Sequence, residues 1–185
     1  MFKETIAKSV LVLCLAAFLL VTTICQASGP QLQELVPVEV RAAIQKSYPK
    51  SRIVELSDLE DGVGQMFTDV SPKHNPVFLS SDFDGNGYED YALLLRSEKL
   101  GRPIVRLVVL LQVGKGKFKA QTLEESQDFL ESIFIDIHLP GRVQEHDSDR
   151  AITLKLPGIE RRFFEKSAGI FYWDKKRFQY IVTED

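Results

Sequence analysis

From Tyr91 to Thr183 the chain repeats one cadence: a short apolar or alternating segment, then a tight turn rich in glycine or lysine. Segments 91–96, 104–113 and 118–123 are separated only by Gly101-Arg102-Pro103 and Gly114-Lys115-Gly116. Connections this short join antiparallel strands, because a parallel neighbour needs a crossover of a dozen residues or more. Segment 104–113 is apolar almost throughout, which predicts a strand at the sheet centre. Ile133, Ile135, Ile137 and Leu139 alternate with their neighbours as a half-exposed strand does, and Ile152, Leu154 and Leu156 do likewise. Segments 162–166, 170–174 and 177–183 are expected to close the sheet. Ser167-Ala168-Gly169 and Lys175-Lys176 are the expected turns between them.

Ahead of this region, Val36, Val40, Ala43, Ile44 and Ser47 fall near one face of a helix predicted from Val36 or Pro37 to about Tyr48. Pro37 suits the first turn, and Pro49 stops the helix by pushing Tyr48 out of helical geometry. Strands are expected at 52–56 and 77–80, with Asp61-Gly62-Val63-Gly64 and residues 71–76 as loops. No linker or low-complexity tract divides the chain. The expected fold is α+β: mostly antiparallel β-sheet, built of meander and hairpins, with one N-terminal helix packed on it, in a single domain over 28–185.

The segment Asp82-Phe83-Asp84-Gly85-Asn86-Gly87-Tyr88-Glu89-Asp90 places hard oxygen ligands at alternate positions of a loop that glycine lets fold tightly. Asp82, Asp84 and Asn86 stand at positions 1, 3 and 5 for side-chain oxygens, Tyr88 at position 7 for a backbone carbonyl, and Asp90 at position 9 for a carboxylate. The expected ligand is Ca2+; magnesium suits a flexible, carbonyl-containing loop less well. The alternative is a calcium-free turn, in which Asp and Asn side chains hold the backbone by local hydrogen bonds. Against it stands the crowding of Asp82, Asp84 and Asp90, to which Glu89 is expected to add; a divalent ion would relieve that repulsion.

This loop, running straight into Tyr91-Ala92-Leu93-Leu94-Leu95, resembles the calcium loop of integrin-type FG-GAP repeats. The resemblance spans about 15 residues. It implies Asp82, Asp84, Asn86 and Asp90 as side-chain ligands and Tyr88 as the carbonyl ligand. FG-GAP repeats occur in tandem to form propellers, whereas this chain carries one copy, so no propeller is expected. An EF-hand would need a bidentate acid at position 12, where Leu93 stands. The order of leader, helix ending in Tyr-Pro, single aspartate loop and aromatic C-terminal hairpin is similar to a family of small uncharacterised exported bacterial proteins.

The leader is residues 1–27, where Lys3 and Lys8 precede an unbroken apolar run at 10–21. This is the pattern of a secretory signal peptide, shorter than a membrane span unless Thr22 and Thr23 are counted. Cleavage after Ala27 would give a periplasmic or secreted product with no stable membrane span. A lipoprotein anchored through Cys25 is the alternative, less favoured because Ile24, not a small residue, precedes the cysteine. Cys14 and Cys25 both precede the cut, so no disulfide framework is expected in the remaining 158 of 185 residues. Removing Lys3, Lys8 and Glu4 from 23 basic and 26 acidic side chains leaves 21 and 25, a formal charge of −4. That balance does not point to nucleic acid, which demands a basic stripe.

Asp136 and His138 lie two residues apart on one strand face and could serve a hydrolase, although no motif supplies a nucleophile. His146, Asp147 and Asp149 suggest a surface turn, and His74 a loop. Phe163, Phe164, Phe171, Tyr172, Trp173, Phe178 and Tyr180 are expected mostly in the core, with the N-terminal helix available to cover one face; a face left free could bind an envelope protein or glycan. The leading expectation is a monomeric, non-enzymatic calcium-binding protein.

Overall fold

The computed structural model describes residues 35–67, 75–127 and 132–184. The expected leader, residues 1–27, and the loop positions 71–74 lie outside them, as does His74. Among the described residues no helix is long and apolar enough to cross a membrane.

Helix α1 runs Val38–Ser47, with Pro37 as its cap residue in extended geometry (φ −54°, ψ 147°). The carbonyl of Pro37 accepts the first helical bond, from the Arg41 N–H at 3.0 Å, so the helix begins just after the proline. Val36, Val40 and Ile44 are buried as their spacing requires, whereas Ser47 is exposed.

Strand β1 is only Arg52–Ile53, followed by a 3-10 turn at Leu56–Asp58. The expected strand over 52–56 is cut short because the Asp58 carboxylate accepts the Glu55 N–H at 2.8 Å and bends the chain. Residues Asp61–Met66 form a second helix, α2, where a loop was expected. Each glycine costs a helix about 1 kcal/mol. Burial of Val63 and Phe67 opposes that cost, and Gly62 sits so close to Phe164 that an added Cβ would lie 2.9 Å from its ring.

The first sheet contains β1, β2 (Phe78–Ser81), β3 (Asp90–Lys99), β4 (Arg102–Gly114) and β5 (Lys117–Ser126), all antiparallel. β4 lies between β3 and β5, the central place its apolar run predicts. β1 and β2 share one edge of β3: Ser81 pairs with Asp90 and Phe78 with Leu93, while Ile53 pairs with Leu95 and Arg52 with Arg96. Leu94 links the two ladders, accepting from the Val54 N–H at 2.9 Å and donating to the Val77 carbonyl at 3.0 Å. α1 lies against β5, where the Tyr48 and Thr122 hydroxyls are 3.0 Å apart.

The second sheet has the order β11-β10-β9-β6, formed by β6 (Ile133–His138), β9 (Gly158–Phe163), β10 (Ser167–Asp174) and β11 (Arg177–Glu184). β7 (Gly141–Gln144) and β8 (Ala151–Leu154) make a separate hairpin. Ile133, Phe134, Ile135, Ile159 and Phe171 join the core that α1 and the first sheet build. Phe134 is buried, so β6 does not alternate along its first half as expected, and it ends before the exposed Leu139. The fold is thus α+β, predominantly antiparallel sheet.

The second sheet and the β7–β8 hairpin differ from the sequence expectation in several places: β7 was not expected, β8 ends at Leu154 short of Leu156, and β9 covers Gly158–Phe163 where a strand was expected over 162–166. Residues 164–166 are a turn and Ser167–Gly169 are strand, the reverse of the pattern read from Ser-Ala-Gly. Gly169 serves packing: a Cβ there would fall 2.1 Å from the Tyr180 hydroxyl across the β10–β11 pair. The aromatic residues of this hairpin are mostly spent inside. Phe171 is buried, Trp173 and Phe178 meet edge to face at 5.1 Å, and Tyr180 is the most exposed at 37 %. Cover for the opposite face comes from the β7–β8 hairpin, whose Val143 and Leu154 pack with Ile170 and Ile181. α1, available in the sequence to cover one aromatic face, lies against β5 and shares the main core with Phe171.

Candidate metal centre

The 82–90 segment closes the β2–β3 hairpin, since its flanking residues Ser81 and Asp90 are ladder partners. Phe83 is buried under it and anchors the loop, while residues 85–89 are exposed. Gly85 and Gly87 hold φ of +75° and +83°, conformations that cost a residue with a Cβ about 1–2 kcal/mol. Gly85 also lies against Leu156, whose Cδ1 would be 3.0 Å from an added Cβ.

The loop's side chains are organised around its own backbone. Asp82 accepts the N–H groups of Gly85 (2.8 Å) and Asn86 (3.1 Å) on Oδ1 and that of Gly87 (3.0 Å) on Oδ2. Asp84 accepts the Asn86 N–H and the Asn86 side-chain amide, both at 3.1 Å. Asn86 Oδ1 accepts the Tyr88 N–H at 2.8 Å. Asp90, fully buried, accepts from Phe83 (2.9 Å), Asp84 (3.3 Å) and Gln112 (2.8 Å). These are the local bonds a calcium-free turn would also use.

Charge separates this loop from an ordinary turn. One carboxylate oxygen from each of Asp82, Asp84 and Asp90 lies within 4.8 Å of the others. Among the described residues no lysine, arginine or histidine is within ion-pairing distance of them. At such spacing each pair repels by roughly 3 kcal/mol at an effective dielectric of about 20. Burial, opposed by its N–H donors and helped by the Asp84 charge, pushes the Asp90 carboxyl up to about 6. Glu89 does not join the cluster as expected. Its carboxylate accepts the Tyr91 hydroxyl at 3.1 Å, and burial together with Glu89 pushes that phenol up to about 12.

The spread of the three oxygens suits calcium, because ligands on opposite sides of one such ion lie about 5 Å apart. Asp82, Asp84 and Asp90 are therefore brought together. Asn86 directs its oxygen at the Tyr88 N–H, and Tyr88 is exposed at the loop's outer turn.

Gln112 is the residue that the sequence did not reveal. β4 carries it past the last β3–β4 pair, Tyr91 with Leu110, and a register shift between Gln112 and Gly114 follows. Its N–H serves Asp90 and its carbonyl accepts from Asn86 Nδ2 at 2.9 Å. Both contributions are main-chain, so no side-chain pattern marks them.

The other candidates are used elsewhere. Asp136 and His138 both lie on β6, where Asp136 Oδ1 accepts the N–H of Ile137 at 2.7 Å and His138 Nδ1 stands 3.3 Å from Glu160 on the neighbouring strand. His146 lies 3.3 Å from the exposed Asp147. Comparison of the chain with protein-family models, curated proteins and solved structures finds no match.

Proposed function

We propose that this is an exported, non-enzymatic calcium-binding protein, and that the ion fastens the 82–90 loop onto the hairpin that β2 and β3 form. The observation that carries this reading is the convergence of the Asp82, Asp84 and Asp90 carboxylates with no cationic partner among the described residues. Asp82, Asp84 and Asp90 would each supply a carboxylate oxygen, and each is also oriented by N–H groups of the main chain. Asn86 and the Tyr88 carbonyl complete the ligand set. Export rests on Lys3 and Lys8 ahead of the apolar run at 10–21, and exported compartments offer calcium at levels that suit sites of about 10⁻⁴ to 10⁻³ M affinity.

The test is thermal unfolding in chelator and in millimolar calcium, for the protein and for Asp84→Ala. At 100 times its dissociation constant a ligand adds about 2.7 kcal/mol, a Tm rise of several degrees. The expected result is that rise in the parent and none in the variant. No rise at any calcium concentration up to several millimolar would leave the aspartates as holders of a turn.

A further inference from the structure

A cavity of about 750 Å³ opens at the other end of β3, where Arg96 lies six residues, roughly 20 Å, from Asp90. Its wall includes Pro49, Lys50, Arg52, Asp58, Arg96 and Pro103, drawn from the α1–β1 connection, β1, the 3-10 turn, β3 and β4. The cavity is a broad depression open to solvent, wide enough to seat the charged end of a small organic ligand.

The charges on this wall are unequally spent. Asp58 takes both Nη groups of Arg52, at 2.5 and 2.6 Å, the Arg96 Nη1 at 3.1 Å and the Glu55 N–H. Four donors fill the acceptor capacity of one carboxylate. Arg96 spends one of its five N–H donors there, and Lys50 has no carboxylate within ion-pairing distance among the described residues. Glu98, exposed, is the other acid on the wall, so three cations face two anions. Asp58 also holds the Arg96 guanidinium in place, which lowers the entropic cost of engaging a second partner.

We infer that the cavity binds an organic anion, its carboxylate or phosphate group held by Arg96 and Lys50 and its body lying against Pro49 and Pro103. The wall offers both a planar guanidinium and a flexible ammonium, which match these oxyanions, one by a fork of N–H donors and the other as a point charge. This site is independent of the acidic loop and needs no calcium.

The experiment is an NMR titration of the intact protein, in chelator, with benzoate and phenyl phosphate as probes and phenol as the neutral control. Amide shifts of Ser51, Ser97 and Glu98 report the cavity. Saturable shifts with either anion and none with phenol are expected, and Lys50→Ala and Arg96→Gln should each weaken binding about tenfold. The relative affinity of the two probes identifies the preferred oxyanion, and weaker binding of inorganic phosphate than of phenyl phosphate would show that the prolines are used. Lys50→Ala removes no recorded contact, so it decides the matter if Arg96→Gln fails to fold. Absence of saturable shifts with both anions, or affinities unchanged by Lys50→Ala, would overturn the inference.

Discussion

Strand β3 begins at Asp90, a buried carboxylate held only by main-chain N–H groups beside two further aspartates. Near its other end Arg96 meets Asp58, a carboxylate that two guanidinium groups grip. Both carboxylates accept several hydrogen bonds, yet their protonation behaves oppositely. Asp90 is pushed up by burial to about 6, whereas the hydrogen bonds and charges of Arg52 and Arg96 hold Asp58 below the usual carboxylate range. Backbone dipoles shape a loop around like charges without cancelling them; arginines cancel the charge and leave cation to spare. One end of the strand therefore lacks a cation, and the other has an excess.

Removing either carboxylate is the strongest way to probe this contrast. Asp90→Ala should cost about 3 kcal/mol or more, because it strands three N–H groups, two of them in the loop and one on β4, at roughly 1–3 kcal/mol for each that stays buried. Chemical denaturation would measure it, and a loss under 1 kcal/mol would mean that water replaces the carboxylate. Gly87→Ala should cost about 1–2 kcal/mol, since φ of +83° is strained for a Cβ although nothing crowds the site. If calcium organises the loop, that loss should be matched by weaker calcium binding in the same variant.

Titration sharpens the comparison further. The folded-state value of Asp90 lies above its unfolded value of about 3.9, so its contribution is fully present below that value and is lost as pH rises through about 6. Without calcium, Asp90→Asn should therefore flatten a decline in stability between about pH 4 and 6. Asp58 has the reverse sign: its contribution is present above about 3.9 and lost as pH falls through its depressed folded value. Asp58→Asn should accordingly melt below the parent near neutral pH, and the two curves should converge as pH falls into acid. Two variants that bend the pH profile in the same direction would break the contrast. The smallest effect should come from Arg52→Ala, about 0–1 kcal/mol, because the pair is partly exposed and Arg96 keeps its hold on Asp58.

The sequence by itself determined the predominance of antiparallel strand, the central position of β4 and the loop that joins β2 to β3, because each depends on local periodicity or on residues a few places apart; β7 and the start of β9 it did not mark. It also determined which acids would meet, since Asp82, Asp84 and Asp90 are held together by one hairpin. Only the tertiary structure decided that Gly62 could sit in a helix, by fitting Phe164 against it, and that Gly169 would lie in a strand, by giving Tyr180 room. It alone brought Arg96 to Asp58 across 38 positions and the Gln112 backbone to Asp90 across 22. Those contacts arise from strand register and from main-chain groups that every residue carries, so no local pattern in the sequence could announce them.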